Sequence, residues 1–92
     1  MTRHTLIKND LAEINPDALL ADGFEDALIG YTVNQHHATV AVYDIGRCAA
    51  VLITRDGMSE EDADEFLSFN VLGAYVGENG PLFVRVDFDD AL

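Results

Sequence analysis

Lysine occurs once in this chain of 92 residues, as Lys8, and five basic side chains stand against seventeen carboxylates, a formal charge of −12. So few cations cannot neutralise a phosphate backbone, which disfavours direct nucleic-acid binding. Docking on an anionic membrane surface is disfavoured for the same reason. Cysteine also occurs once, as Cys48, so no internal disulfide is available and nothing points to an oxidising compartment. No apolar run approaches the ~20 residues that cross a bilayer. Arg3, His4 and Lys8 make a weakly basic start, but no apolar stretch follows, so a secretory leader is not expected. Linkers, repeats and biased tracts are missing as well. The expectation is one domain over residues 1–92, located in the cytoplasm.

The chain does have the material for a core. Apolar residues make up 49% of it, whereas disorder requires low hydrophobicity together with high net charge. The charge favours solubility and opposes compaction through self-repulsion. Aspartate outnumbers glutamate, a usage that a high-salt cytoplasm or a biased base composition would also produce. The imbalance grows along the chain, since across residues 56–92 Arg85 is the only base.

Periodicity supplies the elements. Residues 5–13 fit helix and strand about equally, so residues 1–14 stay unassigned. Asn15-Pro16 can open a short helix with proline in its first turn, closed by Gly23. Residues 27–33 alternate, with Ala27, Ile29, Tyr31 and Val33 on one face, and Ala38, Val40 and Val42 repeat the pattern. The polar residues Asn34, Gln35, His36 and His37 between them suggest an antiparallel hairpin. Asp44 can cap a helix whose apolar stripe is Ile45, Cys48, Ala49, Leu52 and Ile53, ended by Arg55 and Gly57. Ser59 caps a second helix with Glu60, Glu61 and Asp62 in its first turn. The inward face of that helix is expected to be Ala63, Phe66, Leu67 and Ala74, widened by Phe69, Val71 and Leu72, with Asn70 satisfying a backbone group near the Gly73–Gly77 bend. After the turn residues 78–81, Leu82, Val84, Val86 and Phe88 alternate with Phe83, Arg85 and Asp87 as a third strand. The expected fold is α+β: a small antiparallel sheet, hairpin plus C-terminal strand, with two helices packed on one face.

Two stretches carry a resemblance. Arg55-Asp56-Gly57-Met58-Ser59, then Phe69-Asn70-Val71-Leu72-Gly73-Ala74-Tyr75-Val76-Gly77-Glu78, with Tyr43-Asp44 and Pro81-Leu82-Phe83-Val84, resemble a family of small, uncharacterised bacteriophage and bacterial mobile-element proteins. The match covers roughly the second half of the chain. It implies a helix–link–helix arrangement and a phage or prophage setting, and it assigns no activity.

Catalytic chemistry finds little footing. Neighbouring His36 and His37 would point to opposite faces of a strand, and no third ligand stands at metal spacing. Cys48 falls on an apolar stripe, where a thiol behaves as a small hydrophobe. The carboxylates are too crowded for one pair to stand out as a dyad, and the glycines follow a helix instead of opening one. The reading is a protein that is not an enzyme and that uses neither cofactor nor metal.

Glu60, Glu61, Asp64 and Glu65 share one side of the second helix, with no lysine relieving them. That pattern points to a partner-binding face, extended by Asp87 and Asp89, that docks on a basic protein surface of a nucleic-acid-binding complex. Carboxylates in a row can replace phosphates in contacts with arginine and lysine. In a phage setting this becomes an inhibitor of a host defence complex, of anti-CRISPR or anti-restriction type. The competing reading is a self-assembling homodimer in which the acids serve only solubility. Its interface would be an outward sheet face carrying Leu28, Tyr31, Tyr43 and Phe83.

Overall fold

The computed structural model describes residues 2–33, 36–73 and 76–86. In chain order these form α1 (Arg3–Ile14), a 3-10 turn (Glu25–Ala27), β1 (Leu28–Tyr31) and β2 (Ala41–Asp44). Then come α2 (Ile45–Asp56), α3 (Glu60–Leu67), a π-helical turn (Ser68–Leu72) and β3 (Leu82–Val84). The architecture is α+β around a three-stranded sheet in the order β1-β2-β3.

α1 occupies the stretch whose periodicity favoured neither helix nor strand. The Thr2 hydroxyl caps it by accepting from the Thr5 N–H, and Leu11 is its one fully buried side chain. Proline sets its end. The residue before a proline is pushed out of the helical region, and Asn15 is extended at φ −145°, ψ 91°. The short helix expected to begin at Asn15-Pro16 therefore does not form; residues 16–17 turn, and the chain runs on without helix to residue 21. Asn15 anchors this crossing. Its Oδ1 accepts from the Asp17 N–H at 3.2 Å, and its Nδ2 donates to the Thr39 carbonyl at 2.8 Å and to Asn79 Oδ1 at 3.0 Å.

α2 forms where its apolar stripe placed it. Asp44 Oδ1 accepts from the Gly46 N–H at 2.9 Å, while Ile45, Cys48 and Leu52 go into the core. Gly57 ends it in the left-handed conformation, φ 71°, which a side chain with a Cβ adopts only at a cost. Ser59 opens α3 as its sequence implied, with its Oγ accepting from the Asp62 N–H at 3.1 Å. Ala63 and Leu67 turn inward.

β1 and β2 pair antiparallel, Leu28 opposite Tyr43 and Tyr31 opposite Ala41, with a bulge between Leu28 and Gly30. The expected hairpin is present but shorter, because residues 32–40 form its connection; Asn34 and Gln35 lie outside the described residues. Thr32 ties the base of this loop. Its N–H donates to the Val40 carbonyl at 2.9 Å, and its hydroxyl accepts from the Val40 N–H at 3.0 Å.

The C-terminal strand is present, but it pairs parallel with β2, Tyr43 opposite Phe83, so the sheet is mixed instead of wholly antiparallel. α2 and α3 separate the two strands in sequence. A helical connection of that length carries the chain back to the end where β2 starts. The inward face also differs from the expectation. Leu28, Ala41 and Tyr43 are buried and Phe83 is half-buried, whereas Leu82 is 50% exposed and Val84 is also exposed. Both faces of β2 and β3 carry apolar side chains, so alternation alone cannot choose between them. Turning the aromatic rings inward removes the larger apolar area from water.

Tyr43 sits at the centre, 1% exposed. Its ring stacks on Phe83, with centroids 5.4 Å apart and planes at 16°. Its hydroxyl accepts from the Ala21 N–H at 2.8 Å. Burial pushes the phenol above its ordinary pKa, partly opposed by that bond. Around it gather Leu11, Phe24, Ala27 and Leu28 with the buried side chains of α2 and α3.

Tyr43→Phe strands the Ala21 N–H and should lower stability by about 1 kcal/mol. Tyr43→Ala removes the ring as well and should cost about 4 kcal/mol. Urea midpoints check both, and a Tyr43→Phe midpoint equal to that of the parent would contradict the hydroxyl's role.

Candidate functional site

Because Ala63 and Leu67 of α3 are buried, the opposite side of the helix faces water. Glu61, Asp64 and Glu65 are exposed there, and Glu60, in line with Ala63 and Leu67 but at the helix start, is exposed as well, so the four sequence-predicted residues stand on one helix. Glu60 and Glu61 lie in the first turn, where the helix dipole favours negative charge. Asp64 and Glu65 lie a turn further on, each four residues from one of that pair, at a spacing where like charges repel. The other two predicted residues, Asp87 and Asp89, lie outside the described residues.

No ion pair among the described residues relieves this face, and the pairs that do form lie elsewhere. Arg47 Nε lies 3.6 Å from Asp44 Oδ2, and His4 Nδ1 lies 3.9 Å from Asp26 Oδ1. Arg55 pairs with Asp56 at 2.9 Å, donates to the Gly23 carbonyl at 2.7 Å and stands 5.9 Å over the Phe24 ring. The bond to Arg55 holds the Asp56 carboxyl below its ordinary pKa and raises that of the guanidinium. Gly23 has φ 90°, and an added Cβ there would meet the Arg55 guanidinium at 3.1 Å. Arg55 thus fastens the loop before β1 to the end of α2.

The π turn after α3 changes which residues accompany the carboxylates. Phe69 and Leu72, expected to widen the inward face, are 76% and 53% exposed. A π turn accommodates an extra residue, so the helical phase read forward from Ala63 and Leu67 no longer applies beyond Ser68. Asn70 spans the turn, its Nδ2 donating to the Phe66 carbonyl at 3.2 Å, and the side chain itself is exposed. Beside it Met58, Asp62, Glu65, Phe66 and Phe69 line a shallow hollow of about 400 Å³. Asp62, Met58 and Phe69 are therefore neighbours of the acidic face that sequence reasoning did not assign to it. The sequence signal for Phe69 was the run from Phe66 to Leu72, too densely apolar for a single helical stripe; Met58 and Asp62 had none.

The remaining candidates do not assemble into a reactive site. His36 and His37 are exposed in the β1–β2 connection, and the described residues contain no cluster of three potential metal ligands. Cys48 is fully buried, and burial pushes its thiol up to about 11. Among the described residues no helix is long and apolar enough to cross a membrane.

Asp64→Asn with Glu65→Gln should raise stability by a few tenths of a kcal/mol for each like-charge pair relieved. Glu60→Gln with Glu61→Gln relieves pairs too but loses the favourable dipole interaction, so its net effect should be smaller. Thermal melts of the two double variants separate these outcomes, and a less stable Asp64/Glu65 variant would contradict the repulsion.

Comparison of the chain with known protein families, with curated proteins and with solved structures returned no match.

Proposed function

We propose that this chain is a non-catalytic binding protein whose α3 carboxylates occupy a basic surface on a protein partner, of the kind that otherwise holds a nucleic-acid backbone. One observation carries the reading: Glu60, Glu61, Asp64 and Glu65 stand exposed on one helix, with no ion pair to a described base. The dipole favours Glu60 and Glu61 in the first turn, but Asp64 and Glu65 lie beyond it and add only repulsion to the free helix. In a partner's groove the same carboxylates accept charge-assisted hydrogen bonds from arginine and lysine, and the charge of −12 steers the encounter. The phage-protein resemblance gives the reading its biological form, an inhibitor of a host nucleic-acid-binding defence complex of anti-CRISPR or anti-restriction type.

The dimer alternative rested on aromatic side chains facing outward from the sheet. Leu28 and Tyr43 are instead buried, and Phe83 is stacked on Tyr43. Tyr31 and Phe83 remain half-buried, so fewer apolar side chains of that face meet water than the dimer reading expected.

The test uses the chain as bait in a bacterial lysate at low and high salt, beside a Glu60→Gln, Glu61→Gln, Asp64→Asn, Glu65→Gln variant. The expected outcome is capture of a basic nucleic-acid-binding complex, released by salt and lost with the variant, whose melting temperature stays at or above that of the parent. Capture that survives both salt and the four substitutions would overturn the reading.

A further inference from the structure

A second concavity opens on the far side of Asn70. It is a cleft of about 540 Å³, within the range of ligand sites of roughly 300–1,000 Å³, walled by the crossing segment before β1, the π turn and the start of β3. Leu19, Leu72 and Leu82 stand around it with 44%, 53% and 50% of their surfaces exposed. An open cleft walled by these leucines offers apolar surface that a partner's side chain would remove from water. Among the described residues the only polar side chains lining it are Asp22 and Asn70, and no Lys, Arg or His does so.

Charge decides what can enter. A second copy would bring another −12 to a cleft that already carries Asp22, and like charges repel. Asn70 lines both this cleft and the hollow that contains Asp62 and Glu65, so the apolar and acidic surfaces are continuous. An occupant complementary to both is apolar on one side and cationic on the other.

We infer that the cleft receives the apolar side chains of a basic amphipathic segment of a protein partner, whose Lys and Arg residues lie across Asp22 and the α3 carboxylates. This is the helix-in-groove mode of recognition, with apolar anchors giving affinity and charge giving orientation. The inference rests on the acidic-face reading above and adds the anchor to it.

The probe is a fluorescein-labelled amphipathic Leu/Lys peptide, with a Leu/Glu peptide as its counterpart, in anisotropy titrations against the full chain. Leu72→Gln with Leu82→Gln alters only exposed side chains, so the urea midpoint should be kept while affinity for the Leu/Lys peptide falls about tenfold or more, as for a central apolar anchor. The four-carboxylate variant should weaken the same peptide, and the Leu/Glu peptide should not bind. Unchanged affinity in the Leu72/Leu82 variant overturns the cleft inference while leaving the acidic face standing. Loss confined to that variant supports the cleft and overturns the acidic face. Equal binding of the Leu/Glu peptide overturns the charge argument. Tighter peptide binding after deletion of residues 87–92 would assign the cleft to the chain's own C-terminus and overturn the inference.

Discussion

Tyr43 ties its own strand to three other stretches of this chain. Its backbone pairs with β1 on one side and β3 on the other, its ring stacks on Phe83, and its hydroxyl accepts the N–H of Ala21 from the segment that crosses the core. Among the described residues β3 has three residues of parallel pairing, and parallel pairing is slightly less stable per residue than antiparallel. The crossing segment is tied by bonds at Asn15, Leu19 and Ala21 and by the Arg55 bond to the Gly23 carbonyl. Packing a large aromatic at the junction makes strand order and inward face one decision.

The orientation of the surface follows from the same packing. Once Cys48 and Leu52 of α2 and Ala63 and Leu67 of α3 are buried in the cluster around Tyr43, the carboxylates of α3 have no route inward. The π turn then ends the regular phase of α3 and places Phe69 and Leu72 in water on either side of Asn70. The acidic face and the apolar cleft are thus adjacent because one helix breaks its register between them.

Local grammar made the middle of the chain legible. Asp44, Gly57 and Ser59 are caps whose chemistry acts within a few residues, and α2 and the start of α3 form where those residues predict. The same logic exposed Glu60, Glu61, Asp64 and Glu65, since a stripe that buries Ala63 and Leu67 leaves them outside. Pro16 was read as opening a helix because proline suits a first turn, but it also ends the helix before it, and with α1 formed Asn15 is extended instead. The sheet faces were not legible, because Tyr43 and Phe83 alternate with Val42, Leu82 and Val84, and both sets are apolar. The direction of β3 depends on a long connection, and the π turn depends on packing after Ser68. Neither leaves a short-range signal.

The central claim is that a cationic, amphipathic partner meets this chain on one continuous surface formed by α3, the π turn and the edge of β3. Backbone amide chemical-shift mapping during titration with a basic amphipathic Leu/Lys peptide tests it most directly. The account predicts perturbations that rise together at residues 60–65, 69–72 and 82–83, with α1 and β1 silent. Shifts centred on α1 or β1, or scattered over all acidic residues alike, would contradict it.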